Sequence, residues 1–591
     1  MKKYNSGLIL LVFIMFLLPA CKRDLLDKAP VDRYTDAVLW LDINLAQGYL
    51  LNTYEGAGIG YSQYMITSVS DESQSQTNDL YVRGDLTPEN TAPWNTDLPG
   101  WNFHYQNIQK VNKLLGNINR VVDAALPGDK ANLQAQVDVM KGEALFLRAF
   151  AYTQLVRTYG GVPLLKVESE IKQDFQSIPR ASFEETVSFI IKDCDDAAAV
   201  LLTKDKMQMG RTTKEAAMAL KSRISLFAAS DLTADGTATS KFVGYQGKDR
   251  TALWTVAKNA AKAIIDLGTY KLEDFGAPNK AQVPQKLYSF FTAKDLSSSE
   301  VIWGKMYSNL DGAVNQMNQW DEPSGKTGWN TICPTQKLVD TYQMEDGSGF
   351  FNHFQVDASG FYKNISGKYT NKNIYASRDP RFYGTLLYDS AIWKNSSYSI
   401  RDRIVIQNGT QIKKTFGYDT RNSDYNAFNA TQTGYAIRKM LDEQVSPTVN
   451  NRNQNIWIEF RYAEILLNYA EACVALGQTA EATIYIKKVR DRAAMPEFTG
   501  DITQALRYER QIELAFENHR WYDMRRYKVL LQNLTDSYGI NIIETSTDGN
   551  ISTTWQRTLT QKRNPVQRNY WIPISRTEVS KAPKLDQNPG Y

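Results

Sequence analysis

Apolar residues along much of this chain recur at three- and four-residue steps, the spacing that places them on one face of a helix. Within 142–156, Ala144, Leu147, Ala151 and Leu155 form such a stripe, with Leu145, Ala149, Tyr152 and Val156 beside it. It stops at Tyr159-Gly160-Gly161-Val162-Pro163, a glycine terminator followed by a proline. An alanine-rich run over 213–229, preceded by Gly210-Arg211, predicts another buried helix. The clearest case is 462–493. Ala463, Leu466, Leu467, Ala470 and Val474 make one stripe, Gly477 ends it, and Ala482 to Ala493 predict the returning helix.

Small residues at the crossing positions, with Leu476-Gly477 and Glu481-Ala482, resemble a tetratricopeptide helix hairpin. Similar hairpins are predicted at 38–125, 132–203 and 213–267. Each buries only one face, so several must stack to make a core. The expected fold is mainly α, about four such hairpins interrupted by one long insertion. That insertion, 271–455, is rich in Gly, Asn, Ser, Asp and Tyr and lacks helical periodicity, as in Asn309-Leu310-Asp311-Gly312 and Asp321-Glu322-Pro323-Ser324-Gly325. So long a structureless segment is implausible within one domain, which predicts short strands and functional loops. The helical parts then span 36–270 and 456–591.

The first twenty residues read as an address. Lys2 and Lys3 precede an apolar run from Leu8 to Leu18, whose eleven residues rise only ~16 Å as a helix, about half a bilayer core. A secretory signal peptide over 1–20 fits, and a spanning helix does not. Leu18-Pro19-Ala20-Cys21 resembles the bacterial lipobox, in which cleavage before the Cys exposes the thiol and amine that carry acyl chains. Residues 21–35 would then be a lipidated tether, anchored at Cys21.

Composition narrows the classes. The 591 residues carry 68 basic and 64 acidic side chains, net +4, which gives no field suited to nucleic acid. Four Cys and three His argue against a disulfide framework and a Cys/His metal site. The 33 Tyr and 12 Trp are the unusual feature.

Glu509, Glu513 and Glu517 lie four residues apart on one helix face, and crowded carboxylates can supply the acid and base of glycoside hydrolysis. Arg507, Arg510 and Arg520 are interleaved, which favours a structural ion-pair network. His104, His353 and His519 have no metal or triad spacing. No cofactor is expected, although the Asp-rich turn 340–346 leaves an isolated structural calcium open.

The aromatics are the better lead. A sugar ring presents a C–H face that packs on a flat aromatic ring, while its hydroxyls need amide, carboxylate or guanidinium partners. Two stretches combine them, 71–105 and 303–330. Trp94, Trp320 and Trp329 sit among Gly, Pro, Asn and Asp, where nothing apolar nearby explains them, and are the candidate stacking rings. Asp71, Arg83 and Asn95 are the candidate hydroxyl partners. Trp101 has helix-face spacing and Trp303 follows Val301-Ile302, so both are expected in the core, as is Trp521 in its helical block.

Several ordered blocks resemble the SusD/RagB family from end to end. They are Gly142-Glu143-Ala144 through Phe150 with Tyr159 to Leu164, Arg378-Asp379-Pro380-Arg381-Phe382, and Thr433-Gly434-Tyr435 with Arg438-Lys439. Arg461 to Ala472, Glu509 to Arg526, Tyr570-Trp571-Ile572-Pro573-Ile574 and Asn588-Pro589-Gly590-Tyr591 continue the series. Cys21 and the charged Lys22 to Pro30 tether belong to the same pattern. The resemblance implies a non-catalytic lipoprotein on the outer face of the outer membrane. It would capture oligosaccharide as a lid over a SusC-like TonB-dependent barrel transporter, binding on a loop-built face outside the repeats. One branch of the family handles peptides, so a peptide-capturing lid is the alternative, with a surface glycosidase as a third reading.

Overall fold

The structure, a computed structural model, describes residues 36–591 except 76–78, 92–93, 95–97, 171–173, 311–313, 370–372 and 450. Cys21, the leader and the tether lie outside the described residues. Among the described residues, nine long helices carry the fold. They are α1 (Ile43–Glu55), α2 (Trp101–Asn117), α3 (Lys130–Tyr159), α4 (Phe183–Val200), α5 (Lys214–Ala229), α6 (Arg250–Ile265), α7 (Tyr462–Ala475), α8 (Thr479–Arg492) and α9 (Ile502–Glu513). Each packs on its neighbour in sequence from α2 to α9, and α1 packs on α2 and α3. The four expected hairpins are therefore present, and α6 meets α7 directly across the insertion. Alanines make that meeting possible: Ala257, Ala260 and Ala261 of α6 and Ala470 and Ala472 of α7 are buried.

Local chemistry sets the helix ends. Ser182 Oγ accepts from the Glu185 N–H at 3.1 Å, and the Glu185 carboxylate accepts from the Ser182 N–H at 2.8 Å, a reciprocal cap on α4. Gly160 ends α3 at φ 83°, and a Cβ there would lie 2.2 Å from the Phe242 carbonyl oxygen, so only glycine fits. Trp101 and Trp303 are buried as expected, the latter with its ring centre 4.9 Å from that of Phe146.

The insertion leaves and rejoins the helices through a two-stranded stem. Strand β1 (Val301–Lys305) pairs antiparallel with β4 (Trp457–Arg461), so residues 306–456 form a loop closed at its base. Its own core includes Leu338, Tyr342, Phe382, Leu386, Tyr435 and Ile437. Strands β2 (Arg401–Gln407) and β3 (Thr410–Thr415) join β5 (Ser537–Thr547) and β6 (Asn550–Gln561) in one sheet of order β3-β2-β5-β6, with β2 and β5 parallel. The C-terminal part thus lends a hairpin to the insertion. Asn408-Gly409 and Asp548-Gly549 turn the two hairpins with positive φ throughout, the geometry that suits strand twist.

The 378–382 block shows how one short motif serves several ends. Arg378 is buried and donates to the carbonyls of Tyr342 at 2.7 Å and Ile374 at 3.1 Å. Asp379 accepts from the Arg381 N–H at 3.0 Å and caps the following helical turn. The Phe382 ring fills the core.

Candidate functional site

The acidic triplet is structural, with partners other than the interleaved arginines. Glu509 pairs with Arg490 (3.1 Å) and Arg381. Glu513 pairs with Arg461 (2.7 Å), Arg381 (3.1 Å) and Arg492, and Glu517 with Arg461 and Lys439, both at 2.6 Å. Arg507, Arg510 and Arg520 turn instead to Asp231, Asp523 and Asp71. Three arginines around Glu513 hold its carboxyl well below the usual range despite burial. All three carboxyls are taken up in buried ion pairs. Among the described residues no cluster of His, Cys, Asp and Glu is arranged to hold a metal.

Two of the sequence candidates lie in the interior. Asp71 is buried and forms a two-point pair with Arg520 at 2.7 and 2.8 Å, with Lys337 at 3.3 Å. Its charge is consumed in joining the strand that follows it to the 520–526 helix, so it is not a surface hydroxyl partner. Trp94 is 1% exposed, with its ring centre 5.1 Å from Tyr81 and 5.5 Å from Trp521. Its polar sequence neighbours hid an aromatic cluster assembled from distant segments, which leaves it only a small part of the wall of an adjoining cleft. Trp521 is in that cluster, as expected. Arg83 is exposed and paired with Asp85 at 2.8 Å. Asn95 lies outside the described residues. Trp320 is half-buried against the insertion core.

Trp329 is the candidate ring that reaches solvent, at 38% exposure. Its loop is held from below. Buried Glu322 accepts from the Trp393 indole N–H at 2.8 Å and pairs with Lys394. Thr327 and Asn330 take φ of 72° and 43°, and a Cβ on Gly328 would sit 2.1 Å from the Glu322 carbonyl oxygen. Asn330 donates to the Asn429 carbonyl at 3.0 Å, and the Gly325 N–H donates to Asp419 at 2.9 Å. Those two bonds bring in a second loop, 416–430, which carries Tyr418 (68% exposed), Tyr425 (42%) and Phe428 (83%). Tyr418 and Tyr425 are in edge contact, with centres 6.1 Å apart. A hollow of about 320 Å³ lies between the loops, bordered by Lys326, Tyr398, Tyr418 and Asp419. Exposed rings beside amides and a carboxylate form a surface suited to flat polyhydroxylated ligands. The second loop was missed in the sequence, although Tyr418-Asp419, Tyr425-Asn426 and Phe428-Asn429 repeat the aromatic–polar pairing used to select the other stretches.

A separate cleft of about 330 Å³ opens where α3 meets the stem, with Tyr64, Phe103 and Trp457 among its walls and Gln154, Arg157 and His519 among its polar groups.

Residues 299–591 match the sequence model of the SusD family, and residues 27–226 match a model described as starch-binding, associating with the outer membrane. The chain belongs to the SusD/RagB family. It is 22% identical over 556 residues to a SusD-like protein of Formosa agariphila, covering 89% of this chain and 92% of that one. The structure of a SusD-like protein from Bacteroides fragilis aligns over 95% of this chain and all of that one, with TM-score 0.73 and 25% identity. A laminarin-binding SusD-like protein aligns over 93% of this chain and all of that one, with TM-score 0.60 and 19% identity. The SusD/RagB assignment agrees with the fold, in which a helical array carries a loop-built insertion. No helix among the described residues is long and apolar enough to cross a membrane.

Proposed function

We propose that this protein captures carbohydrate at the bacterial surface, without catalysis, and delivers it to a SusC-like TonB-dependent barrel. The observation that carries the reading is the pair of loops at 322–331 and 416–430, which hold Trp329, Tyr418 and Phe428 in solvent on a hydrogen-bonded base. Single exposed rings are ordinary, but several gathered on two adjoining loops mark a surface for a ligand or partner. The family match and the laminarin-binding relative support sugar as that ligand. Each stacked ring adds about 1 kcal/mol beyond area burial, so a single sugar binds weakly and a polymer engaging several rings binds usefully. The carboxylate triplet, saturated with arginine, supports the non-catalytic part. Acylation of Cys21 would tether the protein to the outer leaflet, its body standing over the transporter mouth.

The test is affinity electrophoresis of the mature chain through gels holding plant, fungal, host-type and bacterial polysaccharides, with a peptide mixture as a parallel arm. Retardation by a polysaccharide, lost in Trp329→Ala or Phe428→Ala, is the expected result. Peptide binding with no glycan retarded would overturn it. For the anchor, Cys21→Ala abolishes incorporation of labelled fatty acid; retained label would remove the lipoprotein assignment.

A further inference from the structure

Fifteen arginines among the described residues are at least nine-tenths buried. Fourteen donate to carboxylates or carbonyls, from the Arg148–Asp193 pair at 2.8 Å to Arg563 on the Ser70 carbonyl at 2.7 Å. Arg157 is the exception. It is 5% exposed, its guanidinium lies 3.4 Å over the Tyr522 ring, and it has no hydrogen-bond acceptor among the described residues. Its nitrogens are not sealed off either, because they border the cleft between α3 and the stem. A buried charge without an acceptor is costly, which is why the other fourteen have one.

The remaining charges of the cleft are matched. Arg223 holds Glu459 at 2.5 Å and Glu464 at 2.8 Å, Lys305 pairs with Glu55 at 3.0 Å, and Glu517 belongs to Arg461 and Lys439. Two further side chains present unused hydrogen-bonding groups. Gln154, one turn before Arg157, accepts from the Tyr522 hydroxyl at 3.2 Å, and its amide NH₂ is unengaged. The His519 ring makes no hydrogen bond among the described residues, and burial pulls its pKa down to about 3, so the ring is neutral and offers one donor and one acceptor.

We propose that this cleft takes the carboxylate of an acidic sugar, a uronic acid unit, with Arg157 as the fork that receives it. A planar guanidinium meets a carboxylate at two points, and the hydroxyls beside that carboxylate on a uronic acid ring face Gln154 and His519. The volume is at the low end for ligand pockets, enough for a short end of a chain whose remainder passes outside. The inference rests on the carbohydrate-capture reading and names the sugar class for a second subsite.

Calorimetry on the full mature chain compares trigalacturonate with the uncharged galactotriose. The acidic trimer binds about tenfold more tightly. Arg157→Gln abolishes that preference, and Gln154→Leu weakens it. Equal binding of both trimers, or a preference that survives Arg157→Gln, overturns the proposal. Circular dichroism reports whether Arg157→Gln folds. If it does not, the preference in the unaltered protein must fall as salt is raised to about 0.5 M, and a salt-independent preference overturns it. Neutral polysaccharides retarded through Trp329 with no response to uronates would sink this inference and leave capture standing. No glycan bound at all would sink both, and peptides bound through Arg157 would replace the sugar.

Discussion

Adjacent residues of like chemistry meet opposite fates here. Asp71 and Glu72 are both buried carboxyls, yet Arg520 and Lys337 pull the Asp71 pKa far below its ordinary range. Glu72 has the Thr67 hydroxyl at 2.7 Å and an unpartnered second oxygen, and burial pushes it up to about 8. The folded state therefore favours protonated Glu72. Its contribution is fully present below about pH 4.5 and is lost as pH rises through about 8. Glu72→Gln, a neutral mimic, should lie within about 1 kcal/mol of the parent at pH 5 and exceed it at pH 8.5 by on the order of 4 kcal/mol. Urea unfolding at the two pH values checks this, and equal stability at pH 8.5 would mean that burial does not raise the Glu72 pKa.

Loops and hairpins are specified by a few obligatory positions. Gly328 lies under Trp329 where no Cβ fits. Gly328→Ala should push the loop off Glu322 and weaken polysaccharide retardation about as much as Trp329→Ala, while melting temperature changes little, because the helical array is untouched. Unchanged retardation would show that Trp329 binds independently of its loop geometry. The helices were legible in the sequence because their stripes, caps and glycine stops are local. The β2–β3 and β5–β6 hairpins were also written locally, as Asn-Gly and Asp-Gly turns, but helical periodicity offers no cue to them.

At the scale of the whole molecule, a buried hub holds insertion and array together. Glu300, Asp379, Glu509, Glu513 and Glu517 face Arg381, Lys439, Arg461, Arg490 and Arg492, five carboxylates against five cations. Asp379, Arg381 and Lys439 come from the insertion, and most of the rest come from β4, α8 and α9. Glu513→Gln would leave several buried guanidiniums short of charge and cost about 3–5 kcal/mol, read in denaturant unfolding. Loss of less than about 1 kcal/mol would show the hub to be redundant. The hub carboxyls Glu513 and Glu517 are held below their ordinary range. Their contribution is therefore complete at neutral pH and lost as pH falls through the acid range, so the protein should be sensitive to acid at this joint.

By itself the sequence determined the helical array, its interruption and the family, because periodicity, terminators and motif order are properties of neighbours along the chain. Tertiary structure decided which aromatics face solvent. Trp94 and Trp329 have similar polar surroundings in sequence, but Tyr81 and Trp521 cover one while the Asn330–Asn429 bond leaves the other open. It likewise decided that Arg157, an ordinary basic residue on a helical stripe, has no acceptor. Exposure and charge pairing are sums over segments hundreds of residues apart, and no local pattern carries them.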